Sequence, residues 1–125
     1  MIVGVGIDLT SIAHTRRLIE RWGERFLQKT FTPAEIARLA GRRRAEEEFA
    51  ALFAAKEAAM KALGQGLLGG VRFRDIEVKS DARRRPRIQL HGRARELAEQ
   101  AGVTRIHVSL THEGDYAGAQ VVMEK

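Results

Sequence analysis

Four side chains stand where their types and spacing permit metal or phosphate chemistry: Asp8, Lys56, Glu57 and Lys61. Asp8 ends the run Gly4-Val5-Gly6-Ile7-Asp8. A carboxylate there either caps a following helix or ligates a hard cation, since magnesium takes a few carboxylates together with phosphate oxygens. Glu57 and Lys61 are spaced i,i+4, which by itself is an ordinary helix pair worth a few tenths of a kcal/mol. Lys56 is less ordinary. Successive helical residues turn by about 100°, so Phe49, Leu52, Phe53, Met60 and Leu63 share a stripe, and Lys56 falls within it. A lysine in that stripe needs an anionic partner or a subunit boundary. Further along, His107, Ser109 and Thr111 alternate with Ile106, Val108 and Leu110, with His112 at the edge. Such a polar strand face is usually just solvated. Gly64, Gly66, Gly69 and Gly70 form a loop with no Walker Gly-Lys-Ser/Thr, yet its backbone N–H groups could approach a phosphate.

The elements that must carry these residues follow from periodicity and punctuation. Residues 2–9 read as a strand with Val3, Val5, Ile7 and Leu9 on one face and Gly4, Gly6 and Asp8 on the other. Glycines in a strand often mark close approach by a ligand or another backbone. Thr10 or Ser11 can cap a helix through about residue 25, with Leu18, Ile19, Trp22 and Phe26 as its apolar members. Thr32-Pro33-Ala34-Glu35 is a helix start with a capping box, and that helix ends near Gly41. The longest helix spans about 45–63 and stops at Gly64. Strands are expected at 73–79 and 87–90, a helix at 92–100, and a closing hairpin from 105–111 and 116–123. The class is α+β, a mainly antiparallel sheet packed with helices in a single domain over residues 1–125.

Composition narrows the chemistry. The absence of cysteine rules out a thiol nucleophile, a thiolate metal site and a disulfide framework. Neither a signal peptide nor an apolar run of membrane-spanning length is visible, so a cytoplasmic protein is expected. The formal net charge of +6 calls for an anionic partner: nucleic acid, a phosphorylated small molecule or an acidic protein. Arg17, Arg21 and Arg25, spaced i, i+4 and i+8 beside His14 and Arg16, form a basic ridge that Glu20 and Glu24 do not neutralise. An acidic helical partner would suit it, as would nucleic acid.

Three segments, in register, resemble the holo-acyl-carrier-protein synthase family of 4'-phosphopantetheinyl transferases. Gly4-Val5-Gly6-Ile7-Asp8-Leu9 is similar to its opening strand. Phe53-Ala54-Ala55-Lys56-Glu57-Ala58 with Lys61-Ala62-Leu63-Gly64 is similar to its signature helix, and Val108-Ser109-Leu110-Thr111-His112 with Tyr116-Ala117 to its closing hairpin. Phe73-Arg74-Asp75-Ile76-Glu77-Val78 is a looser fourth match. The resemblance implies a 4'-phosphopantetheinyl transferase fold assembling as a trimer with sites at subunit boundaries. It implies Asp8 and Glu57 as ligands of Mg2+ (or Mn2+), with coenzyme A as co-substrate and the serine of an apo-acyl carrier protein as acceptor. Asp8, Glu57 and Lys61 would be catalytic. Lys56, Lys61, Gly64, Gly66, Ser109, Thr111 and His112 would bind the coenzyme. His14, Arg17, Arg21 and Arg25 would receive the carrier, and neither nucleic acid nor membrane is a partner. A metal-held water or a carboxylate such as Glu35 would be the base.

The chain departs from the family pattern at Leu52, where arginine is usual, and at Gln65, where threonine is common. It departs again at Arg83-Arg84-Arg85-Pro86, which replaces a Gly-Lys-Pro or Gly-Arg-Pro turn. The 42–44 arginine run or the basic turn would compensate for Leu52. Two alternatives make different demands. A basic nucleic-acid-binding domain needs neither Asp8 nor Glu57, and a catalytically lapsed carrier-binding subunit would leave the carrier's mass unchanged.

Overall fold

The computed structural model describes residues 1–125. The elements run β1 (Ile2–Ser11), α1 (Ile12–Trp22), α2 (Glu24–Thr30), α3 (Pro33–Leu39), α4 (Ala45–Leu63), β2 (Ile76–Ser80), β3 (Pro86–Leu90), α5 (Gly92–Gln100), β4 (Arg105–Glu113) and β5 (Tyr116–Glu124). The β1, β5 and β4 strands form an antiparallel sheet in that order, while β2 and β3 form a separate antiparallel pair. This is the expected α+β class. No helix is long and apolar enough to cross a membrane.

Most boundaries follow the local signals. The Thr32 hydroxyl accepts from the Glu35 amide and the Glu35 carboxylate accepts from the Thr32 amide, so the capping box before α3 is complete. The α4 helix opens with Glu46, Glu47 and Glu48 at its positive end and closes on Gly64 in the left-handed conformation.

Two expectations need correction. The basic helix does not continue to Arg25: at Gly23, with φ 53° and ψ −130°, the chain breaks and restarts as α2. An L-residue rarely adopts such a positive φ, so glycine permits the corner. The segment expected as a strand from Phe73 begins instead as a 3-10 turn, Phe73–Asp75, and β2 starts at Ile76.

The decisive packing is α4 against β1 and β5. It is the glycine face of β1 that turns inward. A Cβ on Gly4 would lie 1.9 Å from the Ala62 carbonyl oxygen, and one on Gly6 would lie 1.7 Å from that of Ala58. The glycines thus answer to the backbone of α4, and they let strand and helix come close enough for side chains on both to meet. The apolar face of β1 is left outside, with Val5 52%, Ile7 68% and Leu9 68% exposed.

Candidate active site

Asp8, Glu57 and Lys61 come together where β1 crosses α4. The Asp8 carboxylate is largely buried and held from two sides. Thr10, on the same strand face, donates its hydroxyl to Oδ2 at 3.0 Å, and Lys61 Nζ lies 3.4 Å from Oδ1. Lys61 also donates to the Ile7 carbonyl at 2.8 Å. Thr10 was not among the candidates from sequence, although strand alternation places i and i+2 on one face and could have found it.

Burial pushes the Glu57 carboxyl above its ordinary 4.5, the neighbouring Asp8 pushes it the same way, and Lys61 pulls it back. Two carboxylates held close with one lysine suit a hard cation that retains water and accepts phosphate oxygens. No third His, Cys, Asp or Glu side chain completes an all-protein cage, which is the donor set expected for magnesium beside a phosphate substrate. The residues fit the metal.

The raised Glu57 sets the sign of a pH effect. Its folded value lies above its unfolded value, so ionised Glu57 opposes folding, increasingly as pH rises from the unfolded value through the folded one. Glu57→Gln is therefore expected to raise the melting temperature of metal-free protein at pH 7 and to lose that advantage at about pH 3, below the ordinary glutamate value. Thermal unfolding followed by circular dichroism checks this, and a variant less stable than wild type at pH 7 would contradict it.

Lys56, expected at the coenzyme, is elsewhere. Its side chain is fully buried and donates to Glu35 Oε1 at 2.8 Å, to the Phe73 carbonyl at 3.1 Å and to the Ile76 carbonyl. An ammonium has three hydrogens, and all three are taken within the chain. Lys56 therefore meets neither phosphate nor a neighbouring subunit. Glu35 is also excluded as a base. It is fully buried, Oε1 accepts from Lys56 and the Thr32 amide, and Oε2 accepts from the Val78 amide at 2.7 Å. Removing one partner of such a pair typically costs about 3–5 kcal/mol, because the other charge is left buried and unpaired.

The remaining candidates are distributed around this centre. Gly64 and Gly66 follow the C-terminus of α4, one turn beyond Lys61. Ser109 and Thr111 do not reach Asp8 within the chain. Asp8 pairs with Ala119, which pairs on its other side with Leu110, whereas Ser109 aligns through Gln120 with Ile7, and Thr111 through Gly118 with Leu9. Their side chains therefore stand on the outer sheet face. Ser109 lines a groove of about 590 Å³ with Arg84, Arg85 and Arg87. His112 lies on the inner side and lines a cleft of about 470 Å³ with Arg42, Arg43 and Arg44. Leu52, 4% exposed, borders an adjoining cleft into which Arg38, Arg42, Lys79 and Arg84 contribute.

The basic ridge survives its break at Gly23. Trp22, expected on the apolar stripe, is 45% exposed. The Arg21 and Arg25 guanidiniums lie 5.1 and 5.8 Å from its ring centre. The α2 turn thus brings Arg25 back beside α1. His14 and Arg17 are exposed on α1, and none of the ion pairs in the structure involves Arg17, Arg21 or Arg25.

A strand carboxylate and a helix carboxylate beside a lysine are a donor set suited to a hard cation and the oxygens of a phosphorylated substrate. Residues 4–121 match the 4'-phosphopantetheinyl transferase superfamily, and the chain belongs to that family. It is 45% identical over 124 residues to the holo-[acyl-carrier-protein] synthase of Koribacter versatilis, covering 99% of each chain. Among solved structures it is similar to the holo-[acyl-carrier-protein] synthase of Neisseria meningitidis, with TM-score 0.90 and 36% identity over 100% of both chains. The Helicobacter pylori holo-[acyl-carrier-protein] synthase in complex with coenzyme A matches with TM-score 0.85 and 29% identity, over 96% of this chain and 99% of that one.

Proposed function

We propose that this protein transfers the 4'-phosphopantetheine group of coenzyme A to a serine of apo-acyl carrier protein, giving holo-acyl carrier protein and adenosine 3',5'-bisphosphate. The serine oxygen gives up its proton to solvent and forms the new bond to the β-phosphorus, and the β-phosphorus separates from the oxygen that bridges it to the α-phosphate. The observation that carries this reading is the convergence of Asp8, Glu57 and Lys61 in a chain of this superfamily.

Asp8 and Glu57 would hold Mg2+ or Mn2+, which when bound neutralises phosphate charge and polarises phosphorus. Lys61, half-exposed and one turn from Glu57, is placed to leave Asp8 and meet a phosphate oxygen as a compact cation. Gly64 and Gly66 offer backbone next to the same end of α4. The cleft of Arg42, Arg43, Arg44 and His112 suits the anionic nucleotide end, and Arg42 and Arg84 beside Leu52 supply the positive charge that Leu52 lacks.

The assembly we propose is a homotrimer with sites at subunit boundaries, acting in the cytoplasm. Its support is the outer sheet face, where exposed Val5, Ile7 and Leu9 stand beside Tyr116, itself 50% exposed. Covering that apolar face is favourable at about 25 cal/mol per Å², and it would bring Ser109 and Thr111 to a neighbour's site. The carrier protein would dock on His14, Arg17, Arg21 and Arg25.

The test is intact-mass spectrometry of apo-acyl carrier protein incubated with this protein, coenzyme A and magnesium. A gain of one phosphopantetheine, abolished by chelator, is expected. No gain with a folded protein would overturn the enzyme reading. The docking surface makes a separate prediction. Arg21→Glu with Arg25→Glu should raise KM for the carrier about 10-fold or more at low salt while sparing kcat, and the difference should shrink as salt screens it. Steady-state kinetics across ionic strength check this, and an unchanged KM would place docking elsewhere.

A further inference from the structure

The contact that brings β1 to α4 is made by small groups, Gly4 and Gly6 against the backbone at Ala62 and Ala58. Helices acquire register from side-chain ridges that enter grooves, and alanine facing glycine offers only shallow ridges. Close approach there fixes a distance more firmly than a rotation. The site depends on that rotation, because Glu57 and Lys61 project from α4 whereas Asp8 belongs to β1.

A different set of contacts is directional. Lys56, the residue before Glu57, sends its ammonium to Glu35 of α3, to the Phe73 carbonyl of the 3-10 turn and to the Ile76 carbonyl of β2. Glu35 in turn accepts from the Val78 and Thr32 amides. Both side chains are fully buried, and no buried side-chain polar atom is left without a partner. Such a pair is a poor source of stability, since apolar residues of similar volume often do as well or better, and its best-attested use is to fix a register.

We propose that the buried Lys56–Glu35 pair is the pin that sets the rotation and axial register of α4 and so holds the Glu57 carboxylate against Asp8. Consecutive helical residues point about 100° apart, so seating Lys56 between α3 and β2 directs Glu57 toward β1. Lys56 and Glu35 are positioning residues that touch no substrate. The proposal rests on the metal reading of Asp8 and Glu57 given above.

The experiment is a Mn2+ titration followed by electron paramagnetic resonance, with coenzyme A present, on wild type, Asp8→Ala and the double variant Lys56→Met/Glu35→Leu. Removing both charges together leaves no buried ion unpaired. The double variant is expected to unfold cooperatively, at a lower temperature than wild type because the Thr32 and Val78 amides lose their acceptor, and to bind Mn2+ about 10–100-fold more weakly, the usual effect of losing a group that orients a ligand. Its kcat should fall while KM for the carrier protein is unchanged. Wild-type binding that Asp8→Ala abolishes and the double variant keeps, within about 2-fold against the 10–100-fold expected, would overturn the pin and leave the metal reading intact. No binding by wild type would overturn both. Should the double variant fail to fold, hydrogen exchange on wild type decides, because coupling is reciprocal. Mn2+ must then slow exchange of the Val78 and Thr32 amides that bond Glu35, and unchanged exchange there overturns the proposal.

Discussion

Replacing Asp8 with alanine is expected to reduce phosphopantetheine transfer by about 10²-fold or more, the scale seen when a group that stabilises developing charge is removed. The protein should remain folded. Asp8 retains some solvent contact, with 17% of its side chain exposed, and its removal leaves Thr10 and Lys61 beside a cavity that water can enter. The loss should therefore appear in kcat/KM, and raising magnesium should restore only part of it. Glu57→Gln should behave alike, and the double variant should be little worse than either single one, because residues acting on one ion are not additive. Transfer kinetics by intact mass, with thermal unfolding in parallel, decide the matter. An Asp8→Ala enzyme with near-normal kcat/KM would show that β1 contributes no ligand.

The second large effect is on stability. A Cβ at residue 6 would lie 1.7 Å from the Ala58 carbonyl oxygen, and the obstacle is helix backbone that no rotamer change can move. Overpacking a core usually costs about 1–3 kcal/mol and occasionally more, and Gly6→Ala should fall at or beyond the upper end. Urea unfolding measures the loss. Relaxation requires β1 to move off α4, so whatever Gly6→Ala protein folds should also bind Mn2+ more weakly, because Asp8 moves with its strand. A variant as stable as wild type would mean that the strand can withdraw freely.

Much of this was legible locally. The Thr32-to-Glu35 capping box, the stop of α4 at Gly64 and the closing hairpin all depend on neighbours a few residues apart, and each formed as its signal indicates. The meeting of Asp8 with Glu57 and Lys61 was legible only through resemblance, because 49 positions separate Asp8 from Glu57 and 53 separate it from Lys61, and no periodicity spans that gap. The break at Gly23 was missed because the apolar spacing of Leu18, Trp22 and Phe26 continues across it, and one glycine inside a helical pattern is ordinarily tolerated.

By itself, then, the sequence determined which residues share a face: Gly4 and Gly6 with Asp8, Ser109 with Thr111, and Lys56 with an apolar stripe. Only the tertiary structure decided what each face meets. The apolar side of β1 is the outer one, because only the glycine side admits the backbone of α4. Lys56 faces Glu35, 21 residues away, and no phosphate. Ser109 and Thr111 turn away from Asp8 although all three lie in one sheet. The physical reason is that periodicity records the direction of a side chain relative to its own backbone, whereas a partner is chosen by steric fit between segments distant in the chain.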